Sequence, residues 1–251
     1  MARLKRNHPL PLYVQLSDTL RADIHAQRLQ PHQQLPSERD LCLRFKVSRM
    51  TVRQALIDLT REGLIYSRVG KGTFVSEPKI DQQLRTLTGF SQEMSSRGSA
   101  TSSRVLEAKL VTADQEIAQT LRIPLSSEVV LLSRVRLADH IPLAIETVRL
   151  PHRLVPNLLR HDFSIESLYD VLEREFNYRL TRAEQTIEAA LASPRDVMLL
   201  QLVPPVAVLM MERLTFTDQD VLIEYVESTY RGDRYKFRSA LAPRSMQLAI
   251  T

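Results

Sequence analysis

The chain has 251 residues, 43% apolar and 25% charged, a globular composition able to bury a real core in one large unit or two ordinary ones. A single cysteine, Cys42, excludes an internal disulfide, and the longest apolar runs, near 129–132 and 206–211, are too short to span a bilayer, so the reading is a soluble, cytoplasmic protein with no membrane partner. The net charge of +5 is uneven: residues 1–79 hold 14 Lys and Arg against 7 Asp and Glu, which points to a polyanion-binding module joined to a near-neutral second part.

Residues 11–27 repeat Leu12, Leu16, Leu20 and Ile24 at helical spacing, and Pro31 closes that element. Ser37 is placed to cap a second short helix, with Glu38 and Asp40 in its first turn and Leu41 and Phe45 on its apolar face. Ser48 opens a third helix with Val52, Ala55, Leu56 and Leu59 as its buried stripe, and Gly63 stops it. The period then changes. Residues 64–75 alternate as two strands about a Gly70-Lys71-Gly72 turn. Three helices and a hairpin make a winged helix-turn-helix over residues 1–76, followed by a polar linker at 77–88.

A second, α+β unit is expected over 89–251. Strands are predicted at 103–111, 128–138, 141–151, 182–191, 206–217 and 221–232, and helices at 112–121, 164–176 and 193–200. Two- and three-residue turns at Asp139-His140 and Asp218-Gln219-Asp220 make neighbouring strands antiparallel hairpins. No internal repeat is evident. The tail after Phe237 carries no assignable element.

In a helix-turn-helix the first turns of the second helix face base edges while the first helix crosses the backbone. That makes Arg49 the residue to reach a guanine, through its fork to O6 and N7. Arg39 is placed for a second guanine or a phosphate, with Arg53 further along the reading helix. Ser48 and Thr51 suit phosphate oxygens, and Arg68, Gly70, Lys71 and Gly72 suit a wing tip approaching the minor groove. A merely solvated helix face would carry the same arginines.

Four stretches resemble the GntR superfamily of bacterial transcription regulators: Tyr13-x-Gln15, Leu35 to Leu41, Ser48 to Ala55, and Gly70 to Val75. Further stretches, at 87–91, Arg134-Val135-Arg136, 142–147, 167–169, 224–226 and 230–237, resemble the HutC subfamily, whose C-terminal module is the UTRA domain, similar in fold to chorismate lyase. The likeness within that subfamily is to amino-sugar regulators.

Arg134 and Arg136 lie two apart on a strand and share a face, where an anion between them, or a cross-strand acid such as Glu146, would balance their charge. The resemblance implies a sugar phosphate held by Arg134, Arg136, Ser167 and Tyr169, with Phe90 and Ser91 closing the pocket. Glu146, Glu224 and Tyr230 would then hold the sugar hydroxyls and the amino or acetamido group.

The expected function is a homodimeric repressor on a near-palindromic operator, released by glucosamine 6-phosphate or N-acetylglucosamine 6-phosphate. It would have no catalytic residue, no metal and no cofactor. The rivals are the same architecture reading another anion (a urocanate-like acid, a fatty acid or a phosphonate), an enzyme of lyase-like fold, and a nonspecific nucleoid protein.

Overall fold

The computed structural model describes residues 4–6, 8–68 and 70–241. The chain divides into two compact units, Met1–Ile80 and Asp81–Thr251.

In the first unit α1 (Leu12–His25), α2 (Glu38–Phe45) and α3 (Arg49–Arg61) precede the hairpin β1 (Ile65–Arg68) and β2 (Gly72–Val75). Leu16, Leu20, Leu35, Leu41, Val52, Ala55, Leu59, Ile65 and Val75 form one buried cluster, which is the 3.6-residue stripe of each helix turned inward. The bend between α2 and α3 puts Lys46 in the left-handed region at φ 54°, which brings the Val47 N–H to the Cys42 carbonyl at 3.3 Å.

The second unit begins with β3 (Ile80–Gln83) and α4 (Phe90–Ser96). It continues through β4 (Thr101–Thr112), α5 (Gln115–Leu121), β5 (Glu128–Ala138), β6 (Ile141–Pro151), α6 (Leu168–Phe176), β7 (Leu180–Leu191), α7 (Pro194–Leu200), β8 (Ala207–Thr217), β9 (Leu222–Arg231) and β10 (Tyr235–Arg238). Six strands form one antiparallel sheet in the order β4-β5-β6-β9-β8-β7, while β3 pairs with β10. One face packs α6 and the segment 152–163 through Val130, Leu132, Val148, Leu150, Phe163, Val171 and Leu172. On the other face α5 covers Val129 and Tyr225, and α7 covers Val135, Ile145 and Val208.

The six expected strands of the sheet are present. The polar stretch expected to be a linker contains β3, and β10, for which no strand was expected, reaches into the unassigned tail at Arg238. These two strands are four residues each and far apart in sequence, so neither shows a local period. The helix expected over 164–176 starts at Leu168, because Ser167 caps it by accepting from the Asp170 N–H. Two 3-10 turns, His152–Leu154 and Leu158–Arg160, and helix α4 were not anticipated. The last part of the tail, 242–251, lies outside the described residues.

The sheet also contains a repeat that the sequence did not announce. The run strand, helix, strand, strand occurs as β4-α5-β5-β6, with 12, 7, 11 and 11 residues, and again as β7-α7-β8-β9, with 12, 7, 11 and 10. The halves meet antiparallel at β6 and β9. Aligning them sets Arg134 against Arg213, Asp139 against Asp218, and Ile145-Glu146 against Ile223-Glu224.

Gly232 follows β9, where a Cβ would lie 2.6 Å from the Ala207 carbonyl oxygen, the acceptor of its own N–H. Backbone cannot yield as a flexible side chain does. Gly232→Ala is expected to lower stability by about 1–3 kcal/mol, read as a lower urea midpoint with an unchanged m-value.

Candidate functional site

The first unit presents its basic residues around the start of α3. Ser48 caps the helix: its Oγ accepts from the Thr51 N–H at 3.1 Å and lies 2.9 Å from the Thr51 hydroxyl. Both hydroxyls therefore fix the helix start and are not simply free for a phosphate. Arg49 follows the cap and is exposed, as is Arg39 on α2, and Met50 beside Arg49 is 71% exposed. Arg53 is not free. Its Nε donates to Glu38 at 3.1 Å, an ion pair that ties α3 to the start of α2. On the wing, Arg68 does not project alone: it lies over Tyr66 at 5.4 Å and Phe74 at 5.7 Å, two rings stacked on each other. The tip carries exposed Lys71 between Gly70 and Gly72, both at positive φ; a Cβ on Gly72 would meet Gln34 Nε2 at 2.7 Å.

The second unit encloses a cavity on the α6 face of its sheet. Its free volume is about 30 Å³, room for about two waters. All nine residues expected around an effector line it: Phe90 and Ser91 at the start of α4, Arg134 and Arg136 from β5, Glu146 from β6, Ser167 and Tyr169 at the start of α6, and Glu224 and Tyr230 from β9. The alternation of β5, β6 and β9 sends these side chains to one face.

Of the two arrangements left open for the arginines, the cross-strand acid is present. Arg134 stands opposite Glu146 in the β5–β6 register and donates to it through Nη2. Arg136 reaches the same carboxylate oxygen at 3.5 Å and donates to Ser91 Oγ at 2.8 Å, its guanidinium 4.7 Å from the Phe90 ring centre. Yet the compensation is incomplete. Arg134 is 1% exposed and Arg136 4%, and Arg134 Nε and Nη1 and Arg136 Nε are buried without a hydrogen-bond partner.

The titration directions follow from burial. Burial pushes the Glu146 carboxyl up, but Arg134 and Arg136 together overcome it and hold it below the usual range. Burial carries Arg136 down to about 10 in spite of Glu146. Glu224, which accepts from Thr215 at 2.8 Å and from the Tyr169 hydroxyl at 3.0 Å, is pushed up by burial. Burial also raises Tyr169, and raises Tyr230 to about 12, so both remain hydroxyl donors at neutral pH.

Four polar lining residues were missed: Gln82, Thr88, Arg213 and Ser228. Arg213 aligns with Arg134 only once the strands of the two halves are lined up. Gln82 lies in the stretch read as a linker and carries no local signal. Among the described residues no group of three His, Cys, Asp or Glu is gathered for a metal, and no helix is long and apolar enough to cross a membrane.

The model of the bacterial regulatory proteins of the gntR family matches residues 12–75, and that of the UTRA domain matches 96–236. The chain is 39% identical over 234 residues to the HTH-type transcriptional repressor NagR of Bacillus subtilis (strain 168), covering 93% of this chain and 96% of that protein. The chain belongs to the GntR family. This GntR protein carries a UTRA domain, is of the HutC type, and is a DNA-binding transcription regulator, not an enzyme. It is also 31% identical over 227 residues to the mannosyl-D-glycerate transport/metabolism system repressor MngR of Escherichia coli (strain K12), covering 90% of this chain and 94% of that one. The crystal structure of PhnF from Mycobacterium smegmatis is similar with a TM-score of 0.64 and 29% identity, over 91% of this chain and 99% of that one.

A Glu146→Gln variant isolates the buried charge. A folded-state pKa held below the unfolded value gives a contribution that is complete above about 4.3 and lost as pH falls through the folded value. The variant is expected to be less stable than the parent by about 3–5 kcal/mol at pH 7, with the gap narrowing toward pH 3. Urea unfolding of both proteins across that range measures it.

Proposed function

We propose that this GntR regulator is a cytoplasmic homodimeric repressor whose hold on a near-palindromic operator is weakened by a small phosphorylated amino sugar in the UTRA cavity. The observation that carries the reading is the set of three buried, unpartnered guanidinium nitrogens beside the cavity. A phosphate dianion brings several acceptor oxygens, satisfies the fork geometry and neutralises the excess positive charge. Glu146, Glu224, Tyr169 and Tyr230 supply acceptors and hydroxyl donors for the remainder of a sugar. The name and extent of the NagR likeness support glucosamine 6-phosphate or N-acetylglucosamine 6-phosphate as the compounds read.

On the DNA side, Arg49 contacts a guanine from the first turn of α3, Arg39 adds a base or phosphate contact, and Lys71 at the wing tip approaches the minor groove. Arg53 holds α2 and α3 together through Glu38, and Arg68 stiffens the wing. Both therefore act more by positioning than by contact. Effector and operator are coupled through their different affinities for the same two states, so each weakens the other by the same factor.

Two measurements test this. In a thermal-shift panel the two amino-sugar phosphates are expected to raise the melting temperature by mass action, and Arg134→Ala to abolish the shift. A shift only with a urocanate-like acid, a fatty acid or a phosphonate would keep the regulator and discard the sugar. For DNA, Arg49→Ala is expected to weaken operator binding by about 1–3 kcal/mol at the base it reads and to relax preference there, measured by fluorescence anisotropy at fixed salt. Equal binding to operator and scrambled sequence by the parent protein would refute specific recognition.

A further inference from the structure

We infer that Gln82 is a specificity-determining residue of the effector cavity, its side-chain carbonyl receiving a hydrogen bond from an N–H or O–H donor on the sugar part of the ligand. The inference rests on the sugar-phosphate reading and extends it to a residue outside the arginine cluster.

Gln82 sits in β3, where neighbouring side chains point to opposite sides of the strand. Asp81 takes one side and is held there by Lys236 at 3.2 Å and Arg238 at 2.6 Å, both from β10. The pairing of β3 with β10, and the donation of Leu84 N–H to the Arg238 carbonyl at 2.8 Å, fix the strand. Arg97 adds a bond to the Asp81 carbonyl at 2.5 Å. Gln82 is thereby turned inward: it is 5% exposed and lines the cavity with Arg134, Arg136, Glu146 and Tyr230.

Its Oε1 is buried without a hydrogen-bond partner. A leucine would fill such a position without that cost, since a buried carbonyl left unsatisfied is destabilising. The guanidinium donors in the same cavity lack acceptors, and Gln82 Oε1 lacks a donor. A ligand with an anionic end and a donor-bearing end satisfies both sets. Inorganic phosphate satisfies only the first.

The test compares Gln82→Leu, Gln82→Glu and Arg134→Ala with the parent by isothermal titration calorimetry. The probes are glucosamine 6-phosphate, N-acetylglucosamine 6-phosphate and inorganic phosphate, and melting temperatures confirm that each variant is folded. Gln82→Leu is expected to weaken both sugar phosphates about tenfold and to leave inorganic phosphate unchanged. Gln82→Glu, which keeps an acceptor oxygen, is expected to stay within about threefold of the parent for glucosamine 6-phosphate. Sugar-phosphate affinity unchanged in Gln82→Leu, or lost in Gln82→Glu as in Gln82→Leu, overturns the assignment while the sugar-phosphate reading stands. A parent that binds neither sugar phosphate overturns both.

Discussion

Two guanidinium groups share one carboxylate inside the second unit, and much of that unit's construction serves to keep them there. Burying a charge is costly unless it is paired and hydrogen-bonded. Arg134 meets Glu146 directly across the sheet, whereas Arg136 obtains only a long contact with Glu146, the Ser91 hydroxyl and the face of Phe90. The start of α4 is thus held against β5 by the same group that lacks full compensation.

The first unit solves a different problem, presenting charge to solvent without losing its geometry. Its reading helix is capped by Ser48, tied to α2 by Arg53 and Glu38, and tied to α1 by the Arg21 contact with Glu62 at 2.6 Å. These surface pairs each contribute little to stability. Their value is in orientation, since Arg49 projects from a helix whose start and neighbours are fixed. The wing follows the same logic, with a guanidinium laid on two stacked rings behind a glycine-framed tip.

The helices and sheet strands were legible because their apolar residues recur at 3.6 or 2.0 and because caps and turns fall at their ends. Ser37, Ser48 and Asp139-His140 are examples. The nine residues gathered in the cavity were legible through motifs, and the cross-strand place of Glu146 through the hairpin register. What stayed hidden was nonlocal. β3 is a strand only because β10 lies beside it, more than 150 residues later, and four alternating residues do not declare a period. Gln82 was lost with it. Arg213 stayed hidden because a repeat built on a few shared positions becomes visible only once the strands are lined up. The ion pair of Arg53 and the stacking of Arg68 likewise depend on neighbours that spacing does not reveal.

The duplicated halves of the sheet carry one further consequence. Arg134, Glu146, Arg213 and Glu224 all reach the same cavity near the β6–β9 seam, but Glu146 stands opposite Arg134 whereas Arg213 stands opposite Val226 and Glu224 opposite Thr215. The halves also differ where Arg136 in the first matches Thr215 in the second. One half therefore holds two cations against its carboxylate. The other holds one, with a hydroxyl turned onto Glu224. The cavity acquires a polarity, with two guanidinium groups at one end and one at the other. An asymmetric anion in such a cavity would meet a different set of partners at each end.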